Sequence, residues 1–310
     1  MPGISSRALL LTMTALGKKL GYRDSTEVRR KVEKQYQYPA SFAPPKKLGR
    51  TCEISLDFRN GWPCYEISAR HKSSQSTKGD RNPQAEVLYL HGGAYIEEIG
   101  SNHWSLIEQL TRDVPARVTV PIYPLAPRGT ATSVLPKITA LAATLTERAS
   151  GPTFFMGDSA GGGMALAIAQ RLRETGGRLP DRLVLIAPWL DITLGHPAVP
   201  DIEPHDPLLA AEPLRFAGAL WAGGLDPADP VVSPVNGEMS GLPRTTVFIG
   251  TRDILSAETH RFRDLARAAG VEMDLHEAAG DVHAYPLWPT AEAMRARQQI
   301  VETLVSAKAA

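Results

Sequence analysis

The sequence has few cysteines, no long apolar run and almost no net charge. Cys52 and Cys64 are the only cysteines in 310 residues, too few for the disulfide framework of a small secreted domain. No run reaches the roughly 18 apolar residues of a membrane-spanning helix, so we expect no stable membrane insertion. The formal charge of +1 argues against a nucleic-acid partner, which needs a concentrated basic face. The histidines include no pair at the spacing of a helical zinc site, and we expect no metal or cofactor.

The two cysteines flank a predicted β-hairpin. Its Asn60-Gly61 turn favours a two-residue loop, which would place Cys52 opposite Ala69 and Cys64 opposite Asp57. Their side chains would then point to opposite faces, so we predict two thiols and no disulfide. Such thiols are typical of a reducing compartment, and we expect a cytoplasmic protein.

The first segment allows two interpretations. Arg7 followed by the apolar residues 8–11 is compatible with the start of a signal peptide. An amphipathic helix with apolar residues at helical spacing from Leu9 to Leu20 explains the same segment. Helical character is predicted as far as about Lys47.

Six short apolar segments alternate with helical ones through the rest of the chain. This pattern is typical of a mostly parallel sheet covered by helices on both faces, an α/β fold. The segments are residues 86–90, 117–122, 153–156, 182–187, 245–249 and 272–276. Residues 191–242 are too long for a simple connection, so we predict an insertion above the carboxyl edge of the sheet, with one helix near residues 208–221.

The third of these apolar segments ends in the motif Gly157-Asp158-Ser159-Ala160-Gly161. A helical segment follows at once, which gives the order of strand, turn and helix that a nucleophile elbow requires. Glycine is needed two residues to either side of the serine because a Cβ there would collide with the neighbouring strand and helix. We therefore predict that Ser159 is a catalytic nucleophile.

The first apolar segment runs into His91-Gly92-Gly93. Backbone N–H groups stabilise the oxyanion of a tetrahedral intermediate, and adjacent glycines let the backbone approach it closely. We predict an oxyanion hole formed by the N–H groups of Gly92, Gly93 and Ala160. His91 is expected to hold this loop in place.

The acid and the base are expected after late strands and in that order. Asp253 follows the apolar residues 245–249, and His283 follows residues 272–276. We predict that His283 takes the Ser159 proton and that Asp253 orients its ring. Four alternatives remain, Glu258 and Asp281 for the acid, and His276 and His260 for the base.

These motifs resemble the hormone-sensitive-lipase-like family of α/β-hydrolases. The resemblance covers most of the chain from about Leu88, and it is carried by His91-Gly92-Gly93, Tyr123 with Leu125-Ala126-Pro127, residues 157–162, Asp206-Pro207, Asp229-Pro230 with Ser233-Pro234, Gly250 with Asp253, and His283. It implies an eight-stranded, mostly parallel sheet within a single domain over residues 1–310. It also implies a helical cap formed by residues 1–47 and about 191–242, and metal-free hydrolysis of short acyl esters.

The chain departs from the family pattern at two places. Ala94 stands where the family has a third glycine, which puts one oxyanion donor in question. Residues 123–128 correspond to the family's Tyr-Arg-Leu-Ala-Pro-Glu stretch. Pro124 stands in place of the Arg, and Arg128 stands in place of the Glu. Neither departure removes a predicted triad residue.

We therefore expect a serine carboxylic ester hydrolase that acts on a small-molecule ester through an acyl-enzyme on Ser159. A catalytically inactive ligand-binding module, and an amide-cleaving or acyl-transfer enzyme, are the alternatives. The family resemblance also suggests a homodimer. Four apolar residues are candidates for the border of the pocket: Trp189, Leu190, Tyr285 and Leu287.

Overall fold

The computed structural model describes residue 6 and residues 10–13, 22–59, 61–70 and 85–306. In this part of the chain the strands are β1 Cys52–Arg59, β2 Trp62–Ala69, β3 Ala85–Leu90, β4 Ala116–Pro121, β5 Thr153–Asp158, β6 Arg182–Ile186, β7 Thr245–Gly250 and β8 Met273–Ala278. The α-helices are α1 Ser25–Gln37, α2 Ser101–Asp113, α3 Ala131–Arg148, α4 Ala160–Glu174, α5 Val199–Ile202, α6 Ala211–Ala222, α7 Ser256–Ala268 and α8 Ala291–Ser306.

The strands form one sheet in the order β1-β2-β4-β3-β5-β6-β7-β8. Strand β2 pairs antiparallel with β1 and β4, and the pairs from β4 to β8 are parallel. This confirms the predicted eight-stranded, mostly parallel sheet. The carboxyl ends of the parallel strands share one edge, where the loops after β3, β5, β7 and β8 come together.

Two hydrophobic cores cover the two faces of the sheet. Alternate residues of β3 show the division, because Leu88 and Leu90 belong to one core and Val87 and Tyr89 to the other. Helices α3, α4 and α7 pack on the first face, and helices α2 and α8 pack on the second. Burial on both faces explains why these strands read as continuous apolar segments.

The hairpin has the predicted register. Cys52 pairs with Ala69 and Cys64 with Asp57, and neither cysteine forms a disulfide. Strand β1 is only partly buried: Phe58 is 67% exposed near the turn, while Cys52 lies against α2. Strand β1 lies at the edge of the sheet, and its turn end extends beyond the core.

Helix α1 packs against α6 of the predicted insertion. The guanidinium of Arg29 lies 4.3 Å from the centroid of the Phe216 ring, and the Ser25 N–H donates to Glu212 at 2.9 Å. Helix α1 is shorter than the predicted helical region, because prolines 39, 44 and 45 follow it. The proposed amphipathic helix from Leu9 to Leu20 lies largely outside the described residues. No described helix is long and apolar enough to cross a membrane.

Candidate active site

Ser159 lies in a sharp turn between β5 and α4. Its backbone has φ +50° and ψ −120°, and its N–H donates to the Ile186 carbonyl at 2.8 Å. Such a φ is strained for a residue with a side chain, so the surrounding contacts must hold it. The turn brings the side chain to the cavity wall, beside the N-terminus of a helix of 15 residues, whose dipole favours negative charge.

The glycines of this turn are required by close contacts. A Cβ at Gly157 would overlap the Gly161 carbonyl oxygen, and a Cβ at Gly161 would overlap the Leu90 carbonyl oxygen at the end of β3. The strand and the helix could not approach each other with larger residues. The contacts are those that the motif predicted.

Asp253 and His283 form a buried hydrogen-bonded pair at the carboxyl edge of the sheet. The His283 Nδ1 atom lies 2.7 Å from Asp253 Oδ2, and the Asp253 side chain is fully buried. The carboxylate therefore accepts the Nδ1 proton, which leaves Nε2 of the neutral ring as the basic atom. The other oxygen of Asp253 accepts the Leu255 N–H at 2.9 Å, which fixes the carboxylate.

Backbone contacts bring the two loops together. The Arg252 N–H donates to the Asp281 carbonyl at 3.0 Å, and the Gly280 N–H donates to the Thr251 hydroxyl at 2.7 Å. A Cβ at Gly250 would overlap the Asp281 carbonyl oxygen, so this glycine permits the approach. The loops after β7 and β8 are thus one unit.

Ser159 and His283 line the same cavity, which has a volume of about 220 Å³. Among the described residues, Ser159 Oγ and His283 are not within hydrogen-bonding geometry. Catalytic hydrogen bonds are often long in unliganded enzymes and shorten when substrate binds. The arrangement brings a nucleophile and a base to one space from which both can reach a substrate.

A second carboxylate, Asp206, lies beside the pair. One of its oxygens accepts the Ile254 N–H at 2.9 Å, and the other accepts those of Leu208 and Leu209 at 2.8 and 2.9 Å. Burial and the negative charge of Asp253 raise the pKa of Asp206 to about 6. Sequence reasoning assigned no role to Asp206, although the Asp206-Pro207 motif marked it.

The pKa of His283 is raised by its surroundings. Burial opposes protonation of the ring, but the Asp253 carboxylate more than offsets burial through its charge and its hydrogen bond. Asp206 and Asp158 add negative charge in the same direction. An imidazolium at His283 is therefore favoured relative to one in water.

The loop after β3 differs from the prediction at one amide. The Gly92 N–H donates to Asp158 Oδ1 at 3.1 Å, so it is not available to an oxyanion. In the described part of the chain, the N–H groups of Gly93 and Ala94 donate no hydrogen bond, and both residues line the cavity. Ala94 keeps a positive φ of +52°, so the alanine adopts the left-handed conformation that a glycine would favour.

The cavity has an apolar and a polar wall. Leu209 and Leu214 come from the segment predicted as an insertion, and Leu287 and Trp288 follow His283. The polar wall consists of Tyr22, Glu97, Asn102, His103 and Asp158. Of the four predicted border residues, only Leu287 lines the cavity. The side chains of Trp189, Leu190 and Tyr285 are buried in the protein core instead.

The alternative candidates make contacts outside the cavity. Glu258 is buried and pairs with Arg261 at 3.2 Å, and Asp281 is buried in the loop before His283. His276 stacks on Phe248 with ring centroids 4.6 Å apart, and His260 pairs with Glu277.

His91 is fully buried behind the loop that it was predicted to hold. Its ring stacks on Tyr123 with centroids 4.4 Å apart, and its Nδ1 lies 2.7 Å from the Gly92 carbonyl oxygen. Burial lowers the pKa of His91 to about 4, so its ring is neutral at pH 7.

The described residues contain no group of three or more His, Cys, Asp or Glu side chains arranged to hold a metal ion.

Comparison with known proteins shows the family to which the chain belongs. A family model described as the alpha/beta hydrolase fold matches residues 87–287. The chain belongs to the α/β-hydrolase family. Within it, the chain is hormone-sensitive-lipase-like. A solved esterase from the bacterial hormone-sensitive lipase family superposes with a TM-score of 0.78 at 26% identity, and 98% of each chain is covered.

Two curated relatives of this α/β-hydrolase have similar sequences. A triacylglycerol lipase of Mycobacterium tuberculosis is 32% identical over 77% of this chain and 48% of its own length. An esterase of Acinetobacter venetianus is 31% identical over 60% of this chain and 63% of its own length. The chain thus spans about half the length of the lipase and less than two thirds of the esterase.

Proposed function

We propose that this α/β-hydrolase is a serine carboxylic ester hydrolase. The observation that carries the proposal is the meeting of Ser159, His283 and the amides of the loop after β3 in one cavity. Asp253 orients the His283 ring through the 2.7 Å hydrogen bond to Nδ1. The arrangement has the nucleophile, base, orienting acid and oxyanion donors that acyl transfer requires.

The reaction would proceed in two steps. His283 Nε2 takes the hydroxyl proton of Ser159 as Oγ attacks the ester carbonyl, and the imidazolium then protonates the leaving alcohol. Water, activated by the same nitrogen, attacks the acyl-enzyme, and the acid and free Ser159 result. Asp253 holds the Nδ1 proton throughout and stabilises the imidazolium.

The oxyanion hole that we propose consists of the N–H groups of Gly93, Ala94 and Ala160. The first two lie in the cavity wall, and the third is the first residue of α4, whose N–H has no acceptor within its own helix. Ala94 replaces Gly92 in the predicted set because Asp158 already binds the Gly92 amide.

We also propose that α1 and the segment from residue 191 to 242 form a cap over the cavity, within one domain. Tyr22, just before α1, and Leu209 and Leu214 of the second segment line the cavity together with Ser159. Contacts between α1 and α6 hold the two parts to each other. A cavity of about 220 Å³ lined by these side chains favours short acyl groups.

Acyl-chain preference tests this size limit. We expect kcat/KM to be highest for p-nitrophenyl acetate and butyrate and to fall steeply for octanoate and palmitate. Leu214→Ala should raise kcat/KM for octanoate relative to butyrate because it removes part of the wall. Leu265→Ala, at an exposed position of α7, is the control and should leave the preference unchanged. A parent enzyme that prefers palmitate would contradict the size limit.

The pH dependence of kcat/KM tests the base. Because the neutral ring of His283 is the active form, activity should rise as pH passes through its pKa. The raised pKa places this midpoint above the ordinary value of about 6.5. Asp206→Asn removes a negative charge that favours the imidazolium, so it should move the midpoint to lower pH. A flat profile between about pH 5 and 8 would exclude His283 as the base.

A further inference from the structure

We propose that His103 positions the oxyanion loop, acting through Asp158. The proposal rests on the proposed ester hydrolysis and assigns a role to a residue that does not belong to the triad. His103 lies on α2, in the polar wall of the cavity, and its side chain is 15% exposed. It reaches the loop through one buried carboxylate.

The contacts of His103 determine where its proton lies. Its Nδ1 atom accepts the Gly100 N–H at 2.8 Å, so that nitrogen carries no proton. The proton of the neutral ring is therefore on Nε2, which lies 3.2 Å from Asp158 Oδ2. His103 donates this proton to the carboxylate, and the Gly100 amide fixes the direction of the ring.

Asp158 links His103 to the loop. Its other oxygen, Oδ1, accepts the Tyr89 hydroxyl at 2.8 Å and the Gly92 N–H at 3.1 Å. The side chain is almost completely buried, so these three donors satisfy a carboxylate that has little contact with water. A Cβ on Gly92 would overlap Asp158 Oδ2, which shows how closely the loop approaches the carboxylate.

The loop needs such support because its backbone is strained. Ala94 and Tyr95 have φ values of +52° and +62°, two consecutive left-handed residues that both carry side chains. Such a conformation is unfavourable for a residue with a side chain and persists only where neighbouring contacts hold it. The Gly92 amide is the anchor on the N-terminal side, two residues before Ala94, and the Gly93 carbonyl accepts the Ile96 and Glu97 N–H groups at 2.9 Å.

Without the His103 donor, the buried Asp158 carboxylate would keep two hydrogen-bond donors, the Tyr89 hydroxyl and the Gly92 N–H. The carboxylate would then turn toward water or the cavity, and the Gly92 anchor would weaken. The Gly93 and Ala94 amides would lose the direction that the tetrahedral intermediate requires, although an uncharged substrate could still bind. The defect should therefore appear in kcat more than in KM.

The test compares His103→Gln and His103→Ala with the parent enzyme. The glutamine amide can still donate to Asp158, whereas alanine cannot. We expect His103→Ala to lower kcat for p-nitrophenyl butyrate about 10- to 100-fold with KM within about twofold, and His103→Gln to recover most of the loss. His276→Gln, at a second histidine of intermediate burial that does not line the cavity, is the matched control and should keep the parent rate.

A transition-state analogue separates positioning from substrate contact. An alkyl trifluoromethyl ketone forms a hemiketal with the serine whose oxygen occupies the oxyanion hole, so His103→Ala should weaken its inhibition by the same factor as kcat. Tyr89→Phe removes a different donor from Asp158 and should produce a smaller loss of the same kind. It also provides the test if His103→Ala does not fold.

Three results would overturn the proposal. These are a rise in KM with unchanged kcat in His103→Ala, equal losses in the glutamine and alanine variants, or an unchanged affinity for the ketone. Each would indicate that His103 contacts substrate or only stabilises the fold. The proposed function is judged separately, because it requires that the parent cleave the ester and that Ser159→Ala not do so.

Discussion

Replacing Ser159 with alanine is expected to reduce kcat for short p-nitrophenyl esters on the order of 10⁶-fold, as loss of the nucleophile does in other serine hydrolases. The proposed mechanism has no other group that can form the acyl-enzyme. The remaining rate would come from the oxyanion amides and from binding. Steady-state kinetics would measure the loss, with circular dichroism to show that the fold is kept.

The fold should tolerate this substitution. Ser159 Oγ makes no hydrogen bond to another described residue, and its backbone contacts do not depend on the hydroxyl. Ser150→Ala, in the exposed turn before β5, is the matched control and should retain the parent rate. Ester turnover close to the parent rate in Ser159→Ala would rule out Ser159 as the nucleophile.

Asp253→Asn should give the second largest effect, a loss of roughly 10⁴-fold in kcat. The amide would keep the size of the side chain but could donate to Nδ1 of His283. The ring would then carry its proton on Nε2, the nitrogen that must accept the Ser159 proton. We therefore expect kcat to fall because the ring has the wrong tautomer and the imidazolium loses the nearby negative charge, with KM little changed.

The rival acid provides the control for this experiment. Glu258→Gln removes a buried carboxylate on the neighbouring helix α7, paired with Arg261, and should cost much less in kcat. Thermal melts of both variants would separate loss of stability from loss of function. A decrease smaller than tenfold in Asp253→Asn, or a larger loss in Glu258→Gln, would assign the acid elsewhere.

The sheet and the elbow could be predicted because their signals are local. Buried parallel strands read as short apolar segments, and each predicted segment corresponds to an observed strand to within a few residues. The order of Ser159, Asp253 and His283 placed each residue at the end of a strand. Parallel strands carry their carboxyl ends to one edge, so the three loops had to meet there.

The partner of the Gly92 amide could not be predicted in the same way. The glycines indicated a loop that can approach an oxyanion, but a backbone N–H has no sequence signal for its acceptor. Asp158 is 66 residues away and reaches the amide only because β3 and β5 are neighbours in the sheet. The elbow motif contains Asp158, but the contact of this residue with the loop follows from tertiary structure.

Ala94 illustrates a local prediction that needed the structure. The sequence marked the missing third glycine as a possible loss of one donor. The alanine instead adopts the left-handed backbone conformation, and Ala94 is almost completely buried. Packing around Ala94 and Tyr95, including the stack of Tyr95 on Trp221 with centroids 4.2 Å apart, gives the loop its support.

The walls of the cavity also depend on long-range packing. Tyr22 and Leu214 are distant in sequence, yet both line the space beside Ser159. Burial alone could not separate Leu287, which lines the cavity, from Trp189, which lies in the core. Apolar character predicted that these side chains are inside and could not predict which space they face.

The central claim is that one serine in this chain carries the acyl group. The most direct test is labelling of the full chain with an alkyl fluorophosphonate, followed by peptide mass spectrometry. We predict one phosphonate adduct per molecule, on the peptide that contains Ser159, with ester hydrolysis lost in proportion to labelling. Labelling should fail in Ser159→Ala and be slow in Asp253→Asn. Full hydrolysis after stoichiometric labelling of Ser159, or an inactivating adduct on another residue, would contradict the account.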